Sequence, residues 1–545
     1  MKKFNPTLLT ISIPSNTSVK NQNQTNSSKP RWSTIEFGIY YIVCILAIKK
    51  MFSTAIELSQ EQHPNYSSYQ HKLSPGWILN RKIDISDLQY KRFRFGLVKL
   101  CLLSALYLLF NQFIKFKFKN KMNYLKISKI IFSILILLIL HGTSIFKILI
   151  IIMLNYLICQ KSFHSSLIWI FNILFLFSND YWDGYRYRDL HPFLSVLNKY
   201  RGLIPRWQIG FNISMLRLIS YGFDYQWALR AEGMKKDEQE VDDEKNRTTR
   251  HRKLEEYGFM NYFIYIFYPP LYIAGPIISF NNFMSQMEKK PSSITPKIIL
   301  GYAVRFVVCF LTMEYVLHYM YVIAIKDARA WHGDTPLQLC MIGYWNLIAV
   351  WLKLLIPWRF FRLWALLDGV DAPENMVRCM ANNFSTQAFW RSWHRSYNLW
   401  IVRYIYLPLG GSKNLLPSTV LVFTFVALWH DLSLRLLWWG WLVSLFVAPE
   451  VIVTKLFKDS TIEKKWYFRH LCAAGGTVNV LTMMSANLVG FAIGLEGVKV
   501  MWIEMLSSWS GFITLVSCIV VLFCAVQLMM EYREEERRRG IWRKC

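Results

Sequence analysis

Apolar runs dominate the chain, and they are too many and too long for a protein that folds in water. Twelve stand out: residues 35–48, 95–113, 127–140, 145–158, 167–177, 259–283, 298–325, 337–357, 415–429, 436–456, 478–495 and 511–530. A helix needs ~20 predominantly apolar residues to cross a bilayer, and shorter runs lie in the interface or re-enter. The expected architecture is therefore all-α: a multi-pass transmembrane helical bundle of about ten to twelve membrane-associated helices, some of them re-entrant or interfacial.

Composition agrees. Of 545 residues, 53% are hydrophobic and 18% charged, too little charge to cover several soluble domains. The net charge of +28 would suggest nucleic acid in a soluble protein. Here the basic residues flank the apolar runs, as anchoring lysines and arginines do, so nucleic-acid binding is excluded. Lys115, Lys117, Lys119, Lys121, Lys126 and Lys129 lie together with no acid among them, which marks that loop as cytosolic. The ten cysteines are scattered and form no CxxC, so neither a metal site nor a disulfide framework is indicated.

Residues 1–31 are rich in Asn, Ser, Thr and Gln and read as a disordered polar tail. Their apolar stretch, Leu8 to Ile13, stops at Pro14 and is too short for a cleaved signal. The run from Ile35 then acts as an uncleaved anchor. Asn16, Asn23 and Asn26 begin N-x-Ser/Thr triplets that matter only if the tail is lumenal. Residues 32–530 form the membrane domain, and 531–545, with Arg537 to Arg539, a basic tail. The mixed-sign cluster from Glu232 to Glu256 is expected to be a solvated loop.

The chemistry concentrates between Phe389 and Ser412, FWRSWHRSYNLWIVRYIYLPLGGS. As one helix, Trp390, Trp393, Tyr397, Trp400 and Tyr404 share an aromatic face. Arg391, His394, Arg395 and Asn398 form a polar stripe beside it, and Pro408 with Gly410 and Gly411 ends the helix. An interfacial amphipathic helix would explain the aromatics and arginines, but it does not require His394. His430 follows an apolar run, where an ionisable group marks function by default.

The run FWRSWHRSYNLWIVRYIYLPLGGS, followed by an apolar span ending in ALWHD, resembles the membrane-bound O-acyltransferase (MBOAT) family. His394 and His430, 36 positions apart, match the family's two polar positions. The segment from Tyr268 to Ile277 resembles its upstream P-x-x-x-x-G-P element. His191-Pro192, Gly202, Arg206-Trp207, Phe211-Asn212 and Asp224-Tyr225 resemble the fungal glycerol-uptake branch, close to hedgehog acyltransferase. Asp431 departs from the glycine that many members carry after the second histidine.

The resemblance implies helices packed around a central acyl-transfer chamber. It implies transfer of a long-chain fatty acyl group from acyl-CoA, as co-substrate, to a lipid hydroxyl, with no covalently bound cofactor and no metal. Within that reading His430 is the general base, because imidazole titrates near the working pH. His394 orients the acceptor or polarises the thioester, with Asn398 as its neighbour. Arg391, Arg395 and Arg403 meet phosphates of CoA or lipid, or alternatively snorkel to headgroups. Trp393 and Tyr404 line the route to the site, largely as packing.

The branch points to the lyso form of a GPI anchor as acceptor, with another lysolipid, such as a lysophospholipid, or a protein as alternatives. The endoplasmic reticulum membrane is the expected location, with the plasma membrane as a second address. The rival class is a glycerol–proton symporter. That reading needs acids inside spans, and Glu314 is the clearest one, with no evident partner in the sequence.

Overall fold

The computed structural model describes residues 29–119, 121–161, 164–204, 206–231, 243–430, 434–457, 461–541 and 543. The glycosylation triplets, most of the N-terminal tail, Asp431 and Cys545 lie outside them.

α-Helices of seven residues or more are numbered in chain order. They are α1 (Ile35–Glu57), α2 (Leu88–Lys117), α3 (Met122–His141), α4 (Ile145–Lys161), α5 (Ser165–Tyr181), α6 (Trp207–Arg230), α7 (Phe259–Ile266), α8 (Phe280–Glu288) and α9 (Pro296–Tyr319). There follow α10 (Val322–Ala328), α11 (Pro336–Asp368), α12 (Thr386–Ser392), α13 (Arg395–Ile401), α14 (Leu415–His430), α15 (Leu434–Phe457), α16 (Phe468–Phe491), α17 (Gly494–Ser507) and α18 (Trp509–Arg538). The strand content described is one hairpin, Leu73–Pro75 against Lys82–Asp84. The fold is a multi-pass helical bundle. Among the described residues, eight helices are long and apolar enough to cross a membrane: α1, α2, α3, α9, α11, α16, α18 and most of α15.

Helix starts follow local chemistry. Asp87 caps α2 by accepting from the Tyr90 amide at 2.8 Å, and Thr335 with Gln338 forms a capping box on α11, with Pro336 at its first position. α11 is the most enclosed of the eight spans. α2 turns most of its surface outward and carries exposed Leu102, Leu106 and Leu109, as a helix bathed in acyl chains would.

The apolar run 259–283 is not one span. Tyr268 is extended ahead of Pro269 and Pro270, since a residue before proline avoids the α region and proline has no amide to donate. The carbonyls freed by the two prolines are taken up by Arg217 of α6, which donates to Tyr265 at 3.4 Å and Ile266 at 2.7 Å and also to Leu271 at 2.5 Å. The run 298–325 likewise divides into α9 and α10. Conversely, α6 was not among the expected spans, yet it is central: sixteen of its 24 residues are buried. Its buried Arg217 and Asp224 dilute the apolar signal.

Two further expectations change. Glu314 is not alone: it accepts from Arg94 Nε at 2.7 Å, Arg94 Nη2 at 2.9 Å and Trp77 Nε1 at 2.7 Å. Residues 531–538, read from the sequence as part of a basic tail, continue α18. Buried Glu531 and Glu536 pair there with Arg469, Arg378 and Arg538.

Candidate active site

The aromatic–basic stretch forms two short helices rather than one. α12 ends where the Trp393 amide donates to Phe389, and Trp393 is extended. His394 then takes a left-handed conformation, φ 46° and ψ 48°, before α13 begins. A non-glycine residue there costs about 1–2 kcal/mol, so the surroundings must enforce it. Asn375 does so. Its carbonyl accepts from the Arg395 amide at 3.0 Å, and its side-chain oxygen accepts from the Ser396 amide at 3.1 Å, satisfying donors of the first turn of α13. A bridge between Met376 and Trp393 adds to this clamp. Ser396 Oγ accepts from the Ile277 amide at 2.9 Å, docking the Gly-Pro segment against α13.

The break changes which residues share a surface. Arg391 is exposed on α12, while Arg395 and Asn398 are half-buried on α13. The ring of His394 stacks on Trp358 of α11, centroids 4.6 Å apart and planes 21° apart. Tyr397, one helical turn on, lies 5.3 Å from the His394 ring and 6.4 Å from the His430 ring. Trp429 closes the group at 4.6 Å from Tyr397 and 4.7 Å from His430. The two histidines therefore flank one aromatic ring, and both keep solvent-accessible surface. The buried hydroxyl of Tyr397 has no hydrogen-bond partner among the described residues, a state that buried polar groups rarely keep.

A row on α6 carries this cluster. Asn212, Leu216, Ser220 and Asp224 recur every four residues, so they lie along one ridge. Trp429 Nε1 donates to the Asn212 carbonyl at 3.1 Å, and Trp400 Nε1 to the Leu216 carbonyl at 2.8 Å. The hydroxyls of Ser220 and Tyr404 are 2.8 Å apart. Asp224 accepts from Arg403 Nη2 at 2.8 Å, from Tyr404 Oη at 3.0 Å and from the Asn281 amide at 3.1 Å. Sequence reasoning named Asn212 and Asp224 without assigning them a role; the four-residue repeat of side chains and carbonyls was the available signal.

Arg403 is thus committed to a buried carboxylate, and Tyr404 is packed and hydrogen-bonded. Arg395 pairs with Glu244 at 3.3 Å. That contact brings part of the charged 232–256 segment onto the site instead of leaving it a solvated loop; its residues 232–242 lie outside the described residues. Trp393 is half-buried at the helix break, stacked on Phe389 at 5.5 Å.

Two imidazoles with accessible surface, set in an aromatic wall at the end of an apolar helix, suit proton transfer in a water-poor site. Residues 154–494, which include both, match the family described as MBOAT, membrane-bound O-acyltransferase family, and the chain belongs to it. It is an acyltransferase. It is 43% identical over 546 residues to "Membrane-bound O-acyltransferase GUP1" of Saccharomyces cerevisiae, covering 97% of this chain and 96% of that protein. To the protein of the same name in Schizosaccharomyces pombe it is 40% identical, over 98% of this chain and 94% of the relative. A more distant relative is the mouse "Protein-cysteine N-palmitoyltransferase HHAT", 28% identical over 48% of this chain and 54% of the other.

Proposed function

We propose that the protein transfers a long-chain fatty acyl group from acyl-CoA to the hydroxyl of a lysolipid, the lyso form of a GPI anchor, in the endoplasmic reticulum membrane. The observation that carries this reading is the pair of accessible histidines flanking Tyr397. In the proposed reaction His430 takes the proton of the acceptor hydroxyl as its oxygen attacks the thioester carbonyl carbon. His394 donates a hydrogen bond to the oxygen that becomes negative. Collapse of the tetrahedral intermediate re-forms the carbonyl and breaks the C–S bond, and the proton held by His430 leaves with the CoA thiolate. The stack of His394 on Trp358 and the Asn375 clamp hold the imidazole in place. Asn398, one turn from His394, is the neighbour that would hydrogen-bond in the same reaction. Arg391 is the cation of the three arginines best placed to meet a phosphate, because Arg395 and Arg403 are engaged by Glu244 and Asp224.

The test follows a labelled acyl chain from acyl-CoA into lyso-GPI, using membranes that lack endogenous activity. His430→Ala is expected to abolish turnover with the protein still folded in the membrane. Full transfer by both His430→Ala and His394→Ala would overturn the assignment. A second reading makes the acceptor a protein amine, supported by the name of the mouse relative. Labelling of a peptide N-terminus in place of the lysolipid would favour it.

A further inference from the structure

Away from the histidines, a polar cavity opens where the α3–α4 turn meets residues 183–187, residues 197–202 and the start of α6 with Arg206 before it. It is walled by the segment whose Gly202 and Arg206-Trp207 the sequence singled out and the acyl-transfer chemistry does not use. The cavity is firmly built. A Cβ on Gly202 would collide with the Leu140 carbonyl, and one on Gly142, at φ 55°, with the Tyr200 carbonyl. Tyr187 Oη donates to the Thr143 carbonyl at 2.6 Å, Thr143 Oγ1 to the Leu197 carbonyl at 2.7 Å, and Trp207 Nε1 to the Gly184 carbonyl at 3.0 Å.

Its charge is one-sided. Lys147, Arg186, Arg201 and Arg206 line it against the single carboxylate of Asp183. Asp183 already accepts from Gln208 at 2.7 Å and faces Arg206 at 3.8 Å. The half-buried Lys147 ammonium donates to the carbonyls of Gly184 and Tyr185, which are neutral, and lies 4.2 Å from the Tyr187 ring centroid. Arg186, Arg201 and Arg206 are exposed. A firm concavity with this surplus of forked donors suits a phosphate.

Its position connects it to the reaction. Gln208 lies one helical turn before Asn212, the residue that holds Trp429 beside His430. α3 runs from the lysine-rich loop to this cavity, so the cavity opens on the membrane face opposite that loop.

We infer that this cavity binds the phosphate of an anionic headgroup, the acceptor's, and so sets the lysolipid's hydroxyl toward His430; that purpose rests on the acyl-transfer reading, whereas the binding itself does not. The recognised chemistry, a phosphate, is common to a lysolipid headgroup and to free phosphate.

The experiment measures binding to the full chain in non-ionic detergent with no acyl donor present, so a lack of transferase activity and a lack of binding are separate results. The probes are lysophosphatidylinositol, a monoacylglycerol of the same chain length, and inorganic phosphate. The variant Arg186→Gln/Arg201→Gln/Arg206→Gln changes only exposed side chains, and Lys147→Met is the second variant. Both are expected to weaken lysophosphatidylinositol about tenfold or more while leaving the monoacylglycerol unchanged. That outcome, with inorganic phosphate a poor competitor, assigns the cavity to a lipid headgroup. Saturable inorganic phosphate binding that the variants abolish, with lysolipid binding unaltered, keeps the phosphate site but removes the acceptor role. Wild-type affinity of both variants for lysophosphatidylinositol and inorganic phosphate overturns the inference.

Discussion

The two ends of α6 are charged in opposite styles. At the Asp224 end three arginines near the site each have a carboxylate: Arg403 has Asp224, Arg395 has Glu244, and Arg362 has Asp371. At the Trp207 end cations outnumber acids in the cavity wall, and the half-buried Lys147 donates to backbone carbonyls, with Asp189 its nearby carboxylate. Buried pairs of the first kind fix geometry, because removing one member strands the other. The second arrangement leaves charge for something that is not part of the chain. A dense cluster of arginines is therefore a poor guide to a phosphate site until its partners are known.

The contrast can be broken most forcefully at Asp224. Asp224→Asn leaves the Arg403 charge without its counterion and is expected to cost about 3 kcal/mol, visible as a lower unfolding temperature in detergent. Arg206→Gln, at the opposite end, is expected to shift stability by less than about 0.5 kcal/mol. Equal losses would erase the distinction between the two ends.

Between those ends, Tyr397→Phe removes a buried hydroxyl that has no protein partner among the described residues. Stability should hold while kcat falls about tenfold to a hundredfold, if that hydroxyl meets the reacting oxygen. An unchanged kcat would make Tyr397 a spacer alone. Asn375→Ala removes the side-chain cap from α13, at a cost of about 1 kcal/mol. It should lower kcat more than it raises KM, because the backbone of His394 loses its clamp. Trp400→Phe loses one hydrogen bond to α6, about 1 kcal/mol or less, read as a small drop in thermal midpoint with activity kept.

Much of the bundle was legible because hydropathy acts locally: the runs within α1, α2, α3, α11 and α18 mark those helices directly. The breaks were less so. Pro269-Pro270 advertises an interruption, but the donation by Arg217 to the freed carbonyls depends on a helix some fifty residues earlier in the chain. The turn at His394 has no local signature, since neither glycine nor proline stands there, and it is imposed by Asn375 through tertiary contact. Both histidines could be named from the chain alone. The neutralisation of Arg395 and Arg403 could not, because Glu244 and Asp224 are 151 and 179 residues away in sequence. α6 escaped notice for a different reason: the polar groups through which it holds the site lower its hydropathy.

The pair between Arg378 and Glu536 bears on how the protein is made. Arg378 lies just beyond Asn375, and it is held by a residue 158 positions later in the chain. On the ribosome, the loop carrying Asn375 is complete long before α18 has entered the membrane. Until then its guanidinium lacks the carboxylate that fixes it. The frame around Asn375 is thus complete only once α18 has joined the bundle, so a chain that has not yet inserted α18 holds both imidazoles without the Arg378–Glu536 tie.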